Sequence, residues 1–174
     1  GRYTMFDYIR DPAEIYKRSF ETVRAETDVS GLSADEAALT VRLVHACGMP
    51  DIVRNLVFGP GALKVGRAAL GEGAAILTDV EMVRHGIIRA QLPADNPVLC
   101  MLHDAGVKER AAEQGTTRSA AAVDLWREGL EGSVVAIGNA PTALFRLLEI
   151  IGDGVAPPAM IAAFPVGFVG AAES

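Results

Sequence analysis

The sequence predicts a doubly wound α/β domain, a mostly parallel sheet with helices on both faces. Short, uniformly apolar runs at 75–78, 98–102, 134–137 and 160–164 alternate with segments of helical length and periodicity. Strands that are apolar on both sides belong to sheets covered on both faces, and strands joined through helices run parallel. At 174 residues, 50% of them hydrophobic, the chain can bury one sizeable core. Residues 1–174 are therefore expected to form a single domain.

Asp11, Pro12 and Glu14 announce the first helix with an N-cap oxygen, a preset first-turn φ and a carboxylate placed for a capping box. It is expected to run to about Asp28, with Ile15, Tyr16, Ser19, Phe20 and Val23 on its inward side. Ser33 and Glu36 form a second capping box, opening a helix that carries Val41, Val44 and His45 on one face and ends at Gly48. Further helices are expected at 62–70, 80–85, 107–114, 118–128 and 141–151. The chain stops at Ser174, shortly after a strand and a glycine-bearing turn, where another helix is expected to begin.

No charged residue occurs in 155–172, a length that just reaches a membrane span. Pro157, Pro158, Pro165, Gly167 and Gly170 break that segment into a loop, a strand and a turn, so no membrane partner is expected. Residues 1–11 lack the apolar stretch of a signal peptide, and Met5 is a candidate native start. Cys47 and Cys100 match neither a redox pair nor a zinc spacing, which points to reduced, buried thiols and a cytoplasmic location. A net charge of -6 excludes the basic stripe that nucleic acid requires. An anionic ligand must then be held by local arginines and by helix N-termini.

Ligands of open α/β sheets sit outside the carboxyl ends of the strands, so the turns there are candidate sites. The turn Gly138, Asn139, Ala140, Pro141 and Thr142 leads into a helix whose free N–H groups suit a carboxylate, and it reads equally as an ordinary cap. In Gly115 to Ser119, Thr117 caps a helix that begins with Arg118. An arginine is unfavourable at the positive end of a helix dipole unless an external anion sits there or water solvates it. His45 lies at the carbonyl end of its helix, which stabilises imidazolium and makes a proton donor available; a core or C-capping histidine is the alternative. His85 reads as a cap. His103 and Asp104 form a weaker rival site. No nucleotide-binding, nucleophile-elbow or metal-ligand pattern is present, since Gly59 and Gly61 are followed by Lys64 and lack the third glycine.

The blocks RLVHACGM (42–49), GTTRSAAAVDLW (115–126), VVAIGNAPTALFRLLE (134–149) and FPVGFVGAAES (164–174), with DYIRDPAEIYKRSFETVRAE (7–26), resemble the precorrin-8X methylmutase family. The resemblance implies an isomerase of cobalamin biosynthesis that shifts the C11 methyl of precorrin-8X to C12, giving hydrogenobyrinate. It implies a homodimer without a cofactor and His45 as the catalytic residue; hand-over to the next pathway enzyme is a further expectation. Within that frame Ser19 orients a pyrrole edge or the imidazole, and Thr117, Arg118, Gly138 and Asn139 hold peripheral carboxylates. Met82, Phe164 and Phe168 are candidate walls for the macrocycle. The family continues past residue 174 with a helix and a strand. A corrinoid carrier with little catalysis is the alternative function.

Overall fold

Asp11 opens α1 (Pro12–Glu26) by accepting the Ala13 amide at 3.0 Å, with Pro12 in the first turn. The return bond expected from Glu14 does not form. Its carboxylate lies 2.8 Å from Arg18 Nε, an i,i+4 pair that competes with the cap. The box at α2 (Ala34–Cys47) does close: Ser33 Oγ accepts the Glu36 amide at 3.4 Å, and the Glu36 carboxylate accepts the Ser33 amide at 2.8 Å. Gly48 ends α2 at φ 68°, a left-handed conformation that favours glycine. A 3-10 helix at Pro50–Asn55 follows, for which the apolar pattern gave no signal.

This computed structural model describes residues 7–174, so the candidate start at Met5 lies outside the described residues. The chain falls into two compact units, residues 1–60 and 61–174. In the first, α1 packs on α2, and Phe20, Thr40, Val41 and Val44 are buried. The inward stripe predicted for α1 is narrower than expected, with Ile15 and Tyr16 about half exposed. Within this unit α1 has one long helical neighbour, and a two-helix seam covers only part of a helix face.

The second unit runs α3 (Ala62–Gly71), β1 (Ile76–Thr78), α4 (Glu81–Gly86), β2 (Val98–Cys100), α5 (Val107–Gln114), α6 (Arg118–Val123), β3 (Val134–Ile137), α7 (Pro141–Gly152) and β4 (Met160–Ala163). The helix expected over 118–128 is α-helical only to Val123 and tightens into a 3-10 helix at Asp124–Gly129. The strands form one parallel sheet in the order β2-β1-β3-β4, with Ile76 opposite Val98 and Val134, and Val134 opposite Met160. Alternation along the strands sends side chains to two faces. Ile76, Val98 and Val134 pack with Ala69, Leu70, Ile87 and Leu92 on one. On the other, Leu77, Val135 and Ile137 meet Val123, Trp126, Leu144, Leu147 and Ile150. Helices thus cover both faces, as the doubly wound reading requires. Each large apolar side chain so buried contributes about 1.5–3 kcal/mol.

The segment 155–172 is irregular chain around β4, and no helix among the described residues is long and apolar enough to cross a membrane. The connection from β1 leads to β2 on one side, and that from β3 leads to β4 on the other. The adjacent carboxyl ends of β1 and β3 are therefore the switch point where ligands of such sheets bind.

Candidate active site

In the first unit, α2 delivers His45 in its last turn, where the ring is exposed. Its Nδ1 lies 3.0 Å from Ser19 Oγ of α1. The ring stacks on Phe20 at 4.3 Å between centroids and meets Tyr16 edge-on at 5.9 Å. These contacts fix the imidazole, while no described residue hydrogen-bonds Nε2. Phe20 and Tyr16 also line a cleft of about 770 Å³ between α1 and α2, together with Val41, Arg24 and Arg42. His45 itself does not line that cleft; its imidazole is exposed at the end of α2. A ring anchored through one nitrogen and open at the other can give or take a proton there.

In the second unit the two turns singled out by the sequence meet. Thr117 Oγ1 caps α6 by accepting the Ala120 amide at 3.1 Å, and lies 2.8 Å from Thr142 Oγ1 in the first turn of α7. Arg118 is exposed and has no ion-pair partner among the described residues. The Asn139 side chain is exposed and makes no hydrogen bond with any described residue. Thr142, which joins the turns, was placed in the candidate turn by the sequence but given no role of its own, because a threonine in a first helical turn carries no distinctive signal.

The free N–H groups expected after β3 are not free. Asp79, at the end of β1, accepts the Gly138 amide on one oxygen at 3.0 Å, and those of Asn139 and Ala140 on the other at 3.0 and 2.7 Å. Gly138 is therefore not among the free N–H donors expected there. Its amide is engaged, and Val83 occupies the space that a side chain there would need. Asp79 was overlooked, although a lone acid directly after an apolar strand at the ligand end of a sheet is a usable signal.

Met82, Phe164 and Phe168 are exposed, at 68%, 39% and 108%, so none is a core residue. Phe164 follows β4 and donates its amide to Ile137 at 2.7 Å, and Val166 donates to the Asn139 carbonyl at 3.1 Å. The turn after β4 thus lies against the turn after β3, placing apolar surface next to polar anchors. His85 pairs with Glu81 at 3.4 Å across one helical turn. Hydrogen bonding to Arg84 is the main cause holding the Glu81 carboxyl below its ordinary value. His103 and Asp104 are exposed on a turn with no side-chain bond between them, so the rival dyad does not assemble. Both cysteines are free, but neither is fully buried as expected: Cys47 is exposed on the last turn of α2 and Cys100 half-buried, where burial raises its thiol pKa.

Fold and site together define a doubly wound α/β protein with a candidate ligand surface at the carboxyl ends of its strands, and a helical pair presenting an anchored imidazole. The model of the precorrin-8X methylmutase family (CbiC) matches residues 14–174. The chain belongs to this family, whose members are isomerases of cobalamin biosynthesis. It is 59% identical over 170 residues to the precorrin-8X methylmutase of Pseudomonas aeruginosa, covering 98% of this chain and 82% of that protein. It is also 59% identical over 169 residues to the precorrin-8X methylmutase of a Sinorhizobium species, covering 97% and 80%. The crystal structure of precorrin-8X methylmutase from Thermus thermophilus superposes with a TM-score of 0.81 at 36% identity, covering 92% of this chain and 78% of that one.

Proposed function

We propose that this chain moves the methyl group of precorrin-8X from C11 to C12, giving hydrogenobyrinate, with His45 as the acid. The observation that carries the acid role is the anchored, exposed ring, held by Ser19 and Phe20, with Nε2 bonded by no described residue. Protonation of a ring nitrogen or adjacent carbon draws electron density toward the migrating centre. The C11–methyl bond then breaks as the C12–methyl bond forms, and the proton returns to the imidazole, so substrate and product are isomers. A positioned acid of this kind contributes about a hundred- to ten-thousand-fold. Holding the macrocycle in a reactive geometry supplies the remainder.

Peripheral acetate and propionate groups are bound by the Arg118 guanidinium, with Thr117 and the Asn139 side-chain amide as hydrogen-bonding partners. Arg118 suits this role because its charge is not spent on any described carboxylate. Exposed Met82, Phe164 and Phe168 supply apolar wall of the kind a flat conjugated ligand needs. Each role rests on geometry within its own unit. The reading includes a homodimer, for which exposed Ile88 and Val65 offer apolar surface, and release of product to the next enzyme of the pathway. Free thiols at Cys47 and Cys100 fit the cytoplasm.

Incubation with precorrin-8X, followed by absorbance, tests the activity: conversion to hydrogenobyrinate is expected. Retention of added hydrogenobyrinate without any turnover of precorrin-8X would instead identify a carrier. His45→Ala is expected to lose turnover while still binding product, and wild-type turnover in that variant would remove the acid role.

A further inference from the structure

Asp79 is only 2% exposed, yet its carboxylate meets no cation among the described residues. Its partners are three consecutive backbone amides that lie 59 to 61 positions further along the chain. They form the entry to α7, whose N-cap residue, Ala140, has no capping side chain and whose next residue, Pro141, has no N–H. Such an entry is otherwise an anion site, with unpaired N–H groups and the positive end of a 12-residue helix. An acid from the neighbouring strand fills it, at the switch point of the sheet.

We propose that Asp79 is a positioning residue for substrate anchoring: it occupies the amide nest in place of a substrate carboxylate and fixes the turn that presents Asn139 and Thr142. This rests on the reading that the 117–118 and 138–142 turns anchor the substrate. The closed nest directs the ligand's carboxylates to side chains instead of backbone. Thr142 is held against Thr117 at 2.8 Å, so the same latch sets the position of the cap from which Arg118 extends.

The test is Asp79→Asn, which keeps the shape but turns one accepting oxygen into a donor facing a donor. Steady-state turnover of precorrin-8X is measured below the variant's melting temperature, alongside titration with hydrogenobyrinate. KM is expected to rise about tenfold while kcat stays within about twofold, the pattern of lost binding without lost chemistry. In Asp79→Ala, added formate is expected to refill the nest and lower KM toward the wild-type value. Arg118→Ala and Asn139→Ala test the anchoring reading itself, each being expected to raise KM.

A folded Asp79→Asn protein with wild-type KM, beside raised KM in the other two variants, overturns the inference alone; lowered stability with unchanged KM does the same, because it marks a purely structural role. Wild-type KM in both Arg118→Ala and Asn139→Ala overturns the anchoring reading. If Asp79→Asn does not fold, the formate series decides: a formate-dependent KM supports the proposal and a formate-independent one overturns it.

Discussion

The imidazole of His45 is held by a hydroxyl and a ring, and the two contacts are separable. Ser19→Ala removes the bond at Nδ1 and leaves the Phe20 stack, so turnover is expected to fall about tenfold with KM little changed, the equivalent of one hydrogen bond. Ser19→Thr, which keeps the hydroxyl, is expected to retain most activity; stopped-flow conversion of precorrin-8X measures both. A side chain at Gly138 would run into Val83. Gly138→Ala is therefore expected to destabilise the second unit by about 1–3 kcal/mol through overpacking. Adding Val83→Ala should recover part of that loss, and urea unfolding followed by fluorescence of the single, buried Trp126 reads it directly. The helix positions of His45, Ser19, Thr117 and Arg118 were legible from the sequence, because each sits at a helix end or on a helix face, where spacing assigns a place. The partners of Asp79 were not, because they lie some sixty residues away and only the strand order brings them to it.

At the scale of elements, capping decides where His45 stands. The Ser33–Glu36 box starts α2 and Gly48 ends it, so the last turn, and His45 with it, is fixed from both ends. Ser33→Ala is expected to cost about 1 kcal/mol of helix stability, seen as faster hydrogen exchange of the first-turn amides of α2. The helices and strands were legible almost throughout, since caps and periodicity are local properties. The failures were also local in origin: Glu14 had a nearer partner in Arg18, and tightening into 3-10 turns at Asp124–Gly129 leaves no mark on apolar spacing.

At the scale of the folded second unit, Asp124 ties three helical segments together. Its carboxylate accepts from Gln114 at 3.1 Å and from Arg146 at 2.9 and 2.8 Å, with Arg110 and Arg127 at 4.0 Å. Burial raises its pKa, but the hydrogen bonds from Gln114 and Arg146 and the surrounding arginine charges outweigh that and hold it below the ordinary value. A carboxyl with a depressed folded pKa contributes stability that is present above its unfolded value, about 3.9, and is lost as pH falls through the folded value. Unfolding at a series of acidic pH values is expected to show this loss, and Asp124→Asn to show a flatter acid limb. An unchanged limb in that variant would assign acid sensitivity to other groups.

The sequence by itself determined the family, the parallel α/β architecture and the helix ends that carry His45 and Arg118, because caps, periodicity and long matching blocks are written along the chain. Only the tertiary structure decided that the amide nest at α7 is already filled, that His103 and Asp104 stay apart, and that Thr117 and Thr142 join two turns. Those outcomes depend on which strands become neighbours, and a buried carboxylate takes whatever donors that arrangement sets before it.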